Sequence, residues 1–332
     1  MNGGLSPKRL PLNFNFENEF LIAQMKSSSA QKKPKIWTVA SGKGGVGKTL
    51  VSTSLAITLA KLGIRVIIID LDISGANVHT ALGYSPQQLG LRQFLTGKGA
   101  LRDFVTPTKY PSLSFIQGVW NSWTNTDLSE EQVQSILIAS ASLPCDVVVF
   151  DLGAGTLKSH LKAFHFADEK FLVTSPEPTS LEKNYRFLEA YLCEDLKQYC
   201  NTADYQELLR ELQNRKTAPS SQLFSFRTFI ESHDNIQLDY FRLFELAPVR
   251  LVVNPCRTEA NLQLGQSVVS VCRRFFNLKI ELALSLDFDN AVWQSIKNRE
   301  PFLHANPFSP LAGQFLIAVK QLIGPQSLEK VS

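Results

Sequence analysis

Apolar residues in this chain gather into short runs separated by stretches of helical spacing. The first run is Ile36, Trp37, Val39 and Ala40, of the length and composition of a buried strand, and residues 50–61 after it repeat with a period near 3.6. Leu62-Gly63 marks a helix stop. Residues 65–70 then read Arg-Val-Ile-Ile-Ile-Asp, apolar without alternation, as expected of a strand covered on both faces in a parallel sheet. The theme returns farther along. Residues 113–116, 146–151 and 171–174 predict strands, and Ser129 with Gln132 three residues on predicts a capping box that opens a helix. Helical patterns over 205–212 and 239–246 precede a strand at 250–254, a helix at 259–275 and a strand at 278–284. A closing helix at 310–323 carries Leu311, Phe315, Val319 and Leu322 on one face. Strands alternating with helices in this way predict an α/β fold, a doubly wound, mostly parallel sheet.

Interruptions in the pattern set the domain limits. Pro7, Pro11, Pro34 and the run Ser27-Ser28-Ser29 mark residues 1–34 as an extension, although Phe14, Phe16, Phe20, Leu21 and Ile22 suit a short docking segment. Residues 35–323 read as one domain, loop-rich over 84–127, where Trp120 and Trp123 fall, with a solvated helical insertion at 191–249; residues 324–332 are a tail. The 332 residues are 44% hydrophobic and 19% charged, ordinary for a globular protein with a large core. The net charge of +4 belongs to the extension: six Lys or Arg precede Ile36 against Glu17 and Glu19, leaving 28 basic and 28 acidic residues in the body. Five cysteines without a C-x-x-C pair point to a reducing compartment and away from a cysteine-built metal site. With no apolar leader and no run of membrane-spanning length, a cytoplasmic protein is expected, peripheral contact with the inner face of the plasma membrane staying open. The closing helix has only Lys320 as a basic residue, so packing on the sheet is expected of it rather than lipid binding.

The chemistry starts at Gly42-x-x-x-x-Gly47-Lys48-Thr49, between the first strand and the first helix, which is the context a phosphate-binding P-loop requires. Its glycines let the backbone N–H groups approach phosphate oxygens, and the positive end of the helix dipole adds to the attraction. The nucleotide-binding set is then Gly42, Gly44, Gly45, Val46, Gly47, Lys48, Thr49 and Leu50. Lys48 would reach the β- and γ-phosphates, and the Thr49 hydroxyl would bind Mg²⁺. Four apolar residues leading to Asp151 make a second carboxylate site, which would hold Mg²⁺ through water, while the Gly153 amide reports the γ-phosphate. Asp70 and Asp72 end a central strand, where doubly wound sheets take their ligands; the alternative is that they cap the following helix.

The run Lys43-Gly-Gly-Val-Gly-Lys-Thr49 resembles the deviant P-loop of the MinD/ParA class of ATPases, most similarly its MinD/FlhG branch. Residues 70–77 are similar to that class's D-x-D segment, 175–180 to its S/N-P-E-x-x-S turn, in which Thr179 could also cap a helix, and 287–292 to the turn over its adenine. The resemblance covers 35–190 and 250–323. It implies ATP and Mg²⁺ as ligands, with Lys43 crossing an ATP-dependent homodimer to the partner's nucleotide, Asp72 positioning the attacking water and Asp70 acting near the metal. It also implies that Asn254 and Pro255 bind adenine, for which a carboxamide offers both donor and acceptor. The implied activity is slow, partner-stimulated ATP hydrolysis in a switch for flagellum number, division site or cargo position, with a protein activator or cargo as partner. Three other readings are weaker. ParA-like DNA partitioning asks for a basic patch that the neutral body lacks. An Mrp-type metal-cluster carrier needs cysteines across a dimer. A bacterial tyrosine kinase would carry a tyrosine-rich tail, and no tyrosine follows Tyr240.

Overall fold

A computed structural model describes residues 33–72, 75–118, 127–197, 200–216, 224–233 and 248–324. Residues 1–32, Trp120, Trp123, the expected helix at 239–246 and most of the tail lie outside these. The first half of the chain runs β1 (Lys35–Ser41), α1 (Lys48–Lys61), β2 (Val66–Leu71), α2 (Val78–Ala81), α3 (Leu91–Leu95), β3 (Thr106–Pro107), β4 (Leu113–Ile116), α4 (Glu130–Ser140), β5 (Val147–Ala154), α5 (Lys158–His165), β6 (Glu169–Thr174) and α6 (Pro178–Leu196). It continues with α7 (Thr202–Lys216), α8 (Phe226–Glu231), β7 (Val249–Cys256), α9 (Glu259–Phe275), β8 (Ile280–Asp287), α10 (Asn290–Asn298), α11 (Phe302–Ala305) and α12 (Pro310–Ile323). The strands form one sheet in the order β3-β4-β2-β5-β1-β6-β7-β8, parallel throughout except for the short β3 at one edge. This is the expected doubly wound α/β architecture.

The pleat divides the apolar runs between two cores, since successive side chains leave a strand on opposite faces. Trp37 and Val39 of β1, Ile68 of β2 and Val149 of β5 join α1, α11 and α12 on one face. Ile36, Ile67, Ile69, Val148 and Phe150 join α4, α5, α6 and α9 on the other. Within α12 the residues Leu311, Phe315 and Val319 are buried, and the helix packs on α1 and β8, as its amphipathic pattern required.

Four expectations are corrected. Strand β5 does not stop at Asp151 but continues to Ala154, which pairs with Ser41. Strand β8 starts two residues late because Asn277 takes a left-handed turn (φ 53°) and Leu278 is buried in that turn. Thr179 is not a cap: Glu177 holds that position before Pro178, which fixes the first helical φ of α6. The described part of the insertion is not solvated decoration, since Leu208, Phe224, Phe226, Phe229 and Ile230 are buried in the α9-side core. Phe226 packs against Phe276 with ring centroids 5.8 Å apart.

Candidate functional site

Strands β1, β2, β5 and β7 deliver the candidate residues to one edge of the sheet, at the carboxyl ends of adjacent parallel strands. The loop Gly42–Gly47 leaves β1 and turns into α1, and Gly47 takes φ 93°, a conformation costly for any side chain. A Cβ there would also lie 2.3 Å from Nδ2 of Asn254. The Asn254 Nδ2 donates to the Val46 carbonyl at 2.8 Å, so the carboxamide sits behind the loop and fixes it, with Pro255 following on β7. The first glycine is held from the opposite side. Gly42 N–H donates to Asn184 Oδ1 at 2.5 Å, Asn184 Nδ2 donates to the Val173 carbonyl at 2.9 Å, and a Cβ on Gly42 would meet the Lys183 carbonyl oxygen at 2.1 Å. Gly44 and Gly45 form the crest of the loop, and Leu50 lies half-buried in the first turn of α1.

The two lysines of the loop diverge. Lys48 is buried, and its Nζ donates to Ser41 Oγ at 3.1 Å, while that hydroxyl donates to the Lys43 carbonyl. Desolvation lowers its pKa, opposed by the negative charges of Asp151 and Asp72. Lys43 instead points outward, 28% exposed, and its Nζ donates to Glu177 Oε2 at 2.5 Å and Thr179 Oγ1 at 3.1 Å.

Asp151 is fully covered and accepts from Thr49 Oγ1 at 2.7 Å and Ser52 Oγ at 2.8 Å. A hydroxyl and a carboxylate facing each other at the mouth of a phosphate loop are a donor set suited to Mg²⁺. Burial pushes the Asp151 carboxyl up to about 6, against the opposing effect of those two hydroxyl bonds and of Lys48. Asp70, its neighbour across the β2–β5 ladder, is pushed well above the ordinary carboxylate range by burial and by the Asp151 charge. The oxygens of Asp70 accept from the N–H groups of Asp72 and Val78, so Asp70 does cap the segment into α2 while standing beside Asp151. Asp72 opens this segment just after β2, with Oδ1 accepting from Gly75 N–H at 2.9 Å and facing Gly153, where a Cβ would lie 3.4 Å from it.

Three contributors escaped the sequence reading. Ser52 repeats the Thr49 contact one turn on, a spacing of three that was available in the pattern. Ser41 and Asn184 carried no signal, because only the fold brings them to the loop. At the outer end of the sheet, Cys256, Arg257, Thr258, Glu259, Leu262, Asp287 and Phe288 line a recess beyond Asn254 with a volume of about 570 Å³. The Arg257 guanidinium lies 3.9 Å from the centroid of the Phe288 ring in this recess.

Comparisons with known proteins bear on the family and the fold. A family model named ParA and described as NUBPL iron-transfer P-loop NTPase matches residues 32–199, half of the chain. The antiactivator FleN of Pseudomonas aeruginosa is 33% identical over 167 residues, which are 50% of this chain and 59% of FleN. The matched segments thus span little more than half the length of such curated relatives. Among solved structures, the septum site-determining protein MinD of Pyrococcus horikoshii, complexed with Mg-ADP, superposes with a TM-score of 0.58 at 18% identity over 87% of this chain and 96% of its own. The MinC:MinD cell division protein complex of Aquifex aeolicus gives 0.60 at 19% identity over 87% and 96%.

Proposed function

This chain belongs to the ParA family of P-loop NTPases, the MinD/ParA class, and from that premise we propose that it is an ATP-hydrolysing switch that dimerises around two ATP molecules. The observation that carries the reading is the divergence of the two loop lysines. Lys48 is buried over its own cradle, whereas Lys43 is directed outward along the same edge, where a second copy could receive it. Two triphosphates brought face to face repel one another, and a cation supplied by each copy to the other offsets that repulsion.

The amides of Gly44 to Thr49 would bind the phosphates, and Lys48 would stabilise charge developing on the γ-phosphoryl oxygens. Thr49 directly, and Asp151 through water, would hold Mg²⁺, with Asp70 beside them; the ion would supply neutralisation and orientation of the β- and γ-oxygens. Asp72 would orient the attacking water, and the Gly153 amide would register the γ-phosphate. Asn254 and Pro255 would place adenine against the recess of Arg257 and Phe288 while bracing the loop. By analogy with FleN and MinD, the task would be spatial or numerical control of a cargo through a protein partner. No helix among the described residues is long and apolar enough to cross a membrane.

The family model's description names iron transfer, which needs available thiolates. Burial pushes the Cys145, Cys200 and Cys272 thiols up to about 12 and raises Cys256, so these four cysteines favour the switch over a cluster carrier. Light scattering with ATP and with ADP tests the proposal. The parent should dimerise with ATP only, Asp72→Ala should trap the dimer, and Lys43→Ala should remain monomeric. A monomer in every condition, or a Lys43→Ala variant that dimerises like the parent, would overturn it.

A further inference from the structure

His160, the third residue of α5, belongs to none of the motifs described above, yet it stands at their meeting point. A Cβ built on Gly153 would lie 2.7 Å from His160 Cε1, 3.0 Å from its Nε2 and 3.4 Å from Asp72 Oδ1. One edge of the imidazole, the Gly153 α-carbon and the Asp72 carboxylate therefore converge. His160 is 8% exposed, and its Nδ1 is buried with no hydrogen-bond partner among the described residues. Native folds complete a buried polar atom of this kind with a water, an ion or a group present in a working state. The charged groups facing the ring are Asp72 after β2, Asp127 before α4 and Lys48 on α1, and the Gly155 backbone lies within hydrogen-bonding reach. Burial lowers the imidazole pKa from its ordinary value, which favours the neutral ring, against the opposing effect of a Gly155 backbone hydrogen bond and of Asp72 and Asp127. A neutral ring suits this place, because a cation here would compete for the Asp72 carboxylate that the attacking water needs.

We propose that His160 is a positioning residue for hydrolysis: its ring edge sets the Gly153 turn against Asp72, holding the Gly153 N–H and the Asp72 carboxylate at the separation one water requires. The proposal rests on reading the site as an ATPase and deepens that reading. Catalytic geometry of this kind is sensitive, since a displacement of about 1 Å can cost about 100-fold in rate.

Three variants of the full chain test it. His160→Ala removes the ring, His160→Leu restores bulk without polar atoms, and His160→Gln returns a carboxamide near the place of Nε2. Steady-state hydrolysis of Mg·ATP should show kcat lower by about 100-fold in His160→Ala and His160→Leu, with KM for ATP little changed. His160→Gln should recover most of the loss. A His160→Leu variant as fast as the parent, or equal losses in kcat and ATP affinity, would overturn the proposal in favour of packing alone.

Amide hydrogen exchange with Mg²⁺ and a non-hydrolysable ATP analogue gives a readout independent of turnover. In the parent, residues 42–49 and 151–157 should both become protected. His160→Ala should keep the first protection and lose the second. If the parent binds the analogue but hydrolyses nothing, the ATPase reading fails and exchange alone decides the positioning role. Protection of 151–157 that survives in His160→Ala, or loss of both protections, would overturn the role.

Discussion

Asn184 ties the entrance of the phosphate loop to the middle of the sheet, and its removal has a calculable cost. Asn184→Ala leaves the Gly42 N–H without its 2.5 Å acceptor and the Val173 carbonyl without its 2.9 Å donor. Asn184 itself is buried, so bulk water does not replace it freely. An unsatisfied buried backbone group costs about 1–3 kcal/mol, and partial hydration of the new space recovers some of this, so the variant should lose about 2–4 kcal/mol. Urea unfolding would register the loss as a lower midpoint at unchanged slope. If about 1.4 kcal/mol of it falls on the loop conformation that accepts phosphate, ATP affinity drops about tenfold, readable with a fluorescent ATP analogue. Asn184→Asp is the sharper variant. It keeps an acceptor for Gly42 but sets a carboxylate against the Val173 carbonyl, and should be at least as unstable as alanine. An Asn184→Ala protein within about 0.5 kcal/mol of the parent, with unaltered ATP affinity, would refute this account of the loop.

Two further expectations concern charge. The hydrogen bond and positive charge of Lys43 hold the Glu177 carboxyl below its ordinary range, and the same contact keeps Lys43 on its own chain. Glu177→Gln should therefore lower the protein concentration at which ATP produces dimers, as sedimentation velocity would measure; a raised concentration would mean that Glu177 serves the dimer instead. Asp151, with its carboxyl pushed up to about 6, holds a proton in the fold that it releases when unfolded, where its ordinary value is 3.8. Stability of the nucleotide-free chain from this group is therefore greatest at low pH and declines as pH rises through about 6. Mg²⁺ requires the anion, so Mg·ATP should bind more weakly below about pH 6 and should displace a proton there. Titration calorimetry in buffers of different ionisation enthalpy would detect that proton.

What the sequence made legible follows from how local each signal is. The phosphate loop is eight consecutive residues, and its glycines and lysines declare themselves together. Strands β2, β5 and β7 carry apolar runs because both faces of the sheet are covered, and each run leads into a polar residue, Asp70, Asp151 or Asn254, that reaches the site. Asn184 is 142 residues from Gly42, and His160 touches a turn whose importance depends on Asp72, 88 residues earlier in the chain; nothing in their own neighbourhoods marks them. The buried aromatics of the insertion were missed for a related reason. Phe226, Phe229 and Ile230 do stand at helical spacing, but over a single helix of six residues, too short a window for the period to declare itself, and only α9 reveals what they cover. The direction in which Lys43 points was also invisible, because it depends on Glu177 at the start of a helix five strands later in the chain.

The seating of α12 on α1 limits how this protein can be dissected. Leu311, Phe315 and Val319 come from the far end of the chain, yet they close the same apolar layer as Val51 and Leu55 of the phosphate-loop helix. A fragment ending near residue 199 would keep every motif for phosphate and metal but would strip that layer, together with β7 and its Asn254 brace. Such a truncation should yield an insoluble or molten product rather than a minimal nucleotide binder, because the second half of the chain is the missing wall of the first.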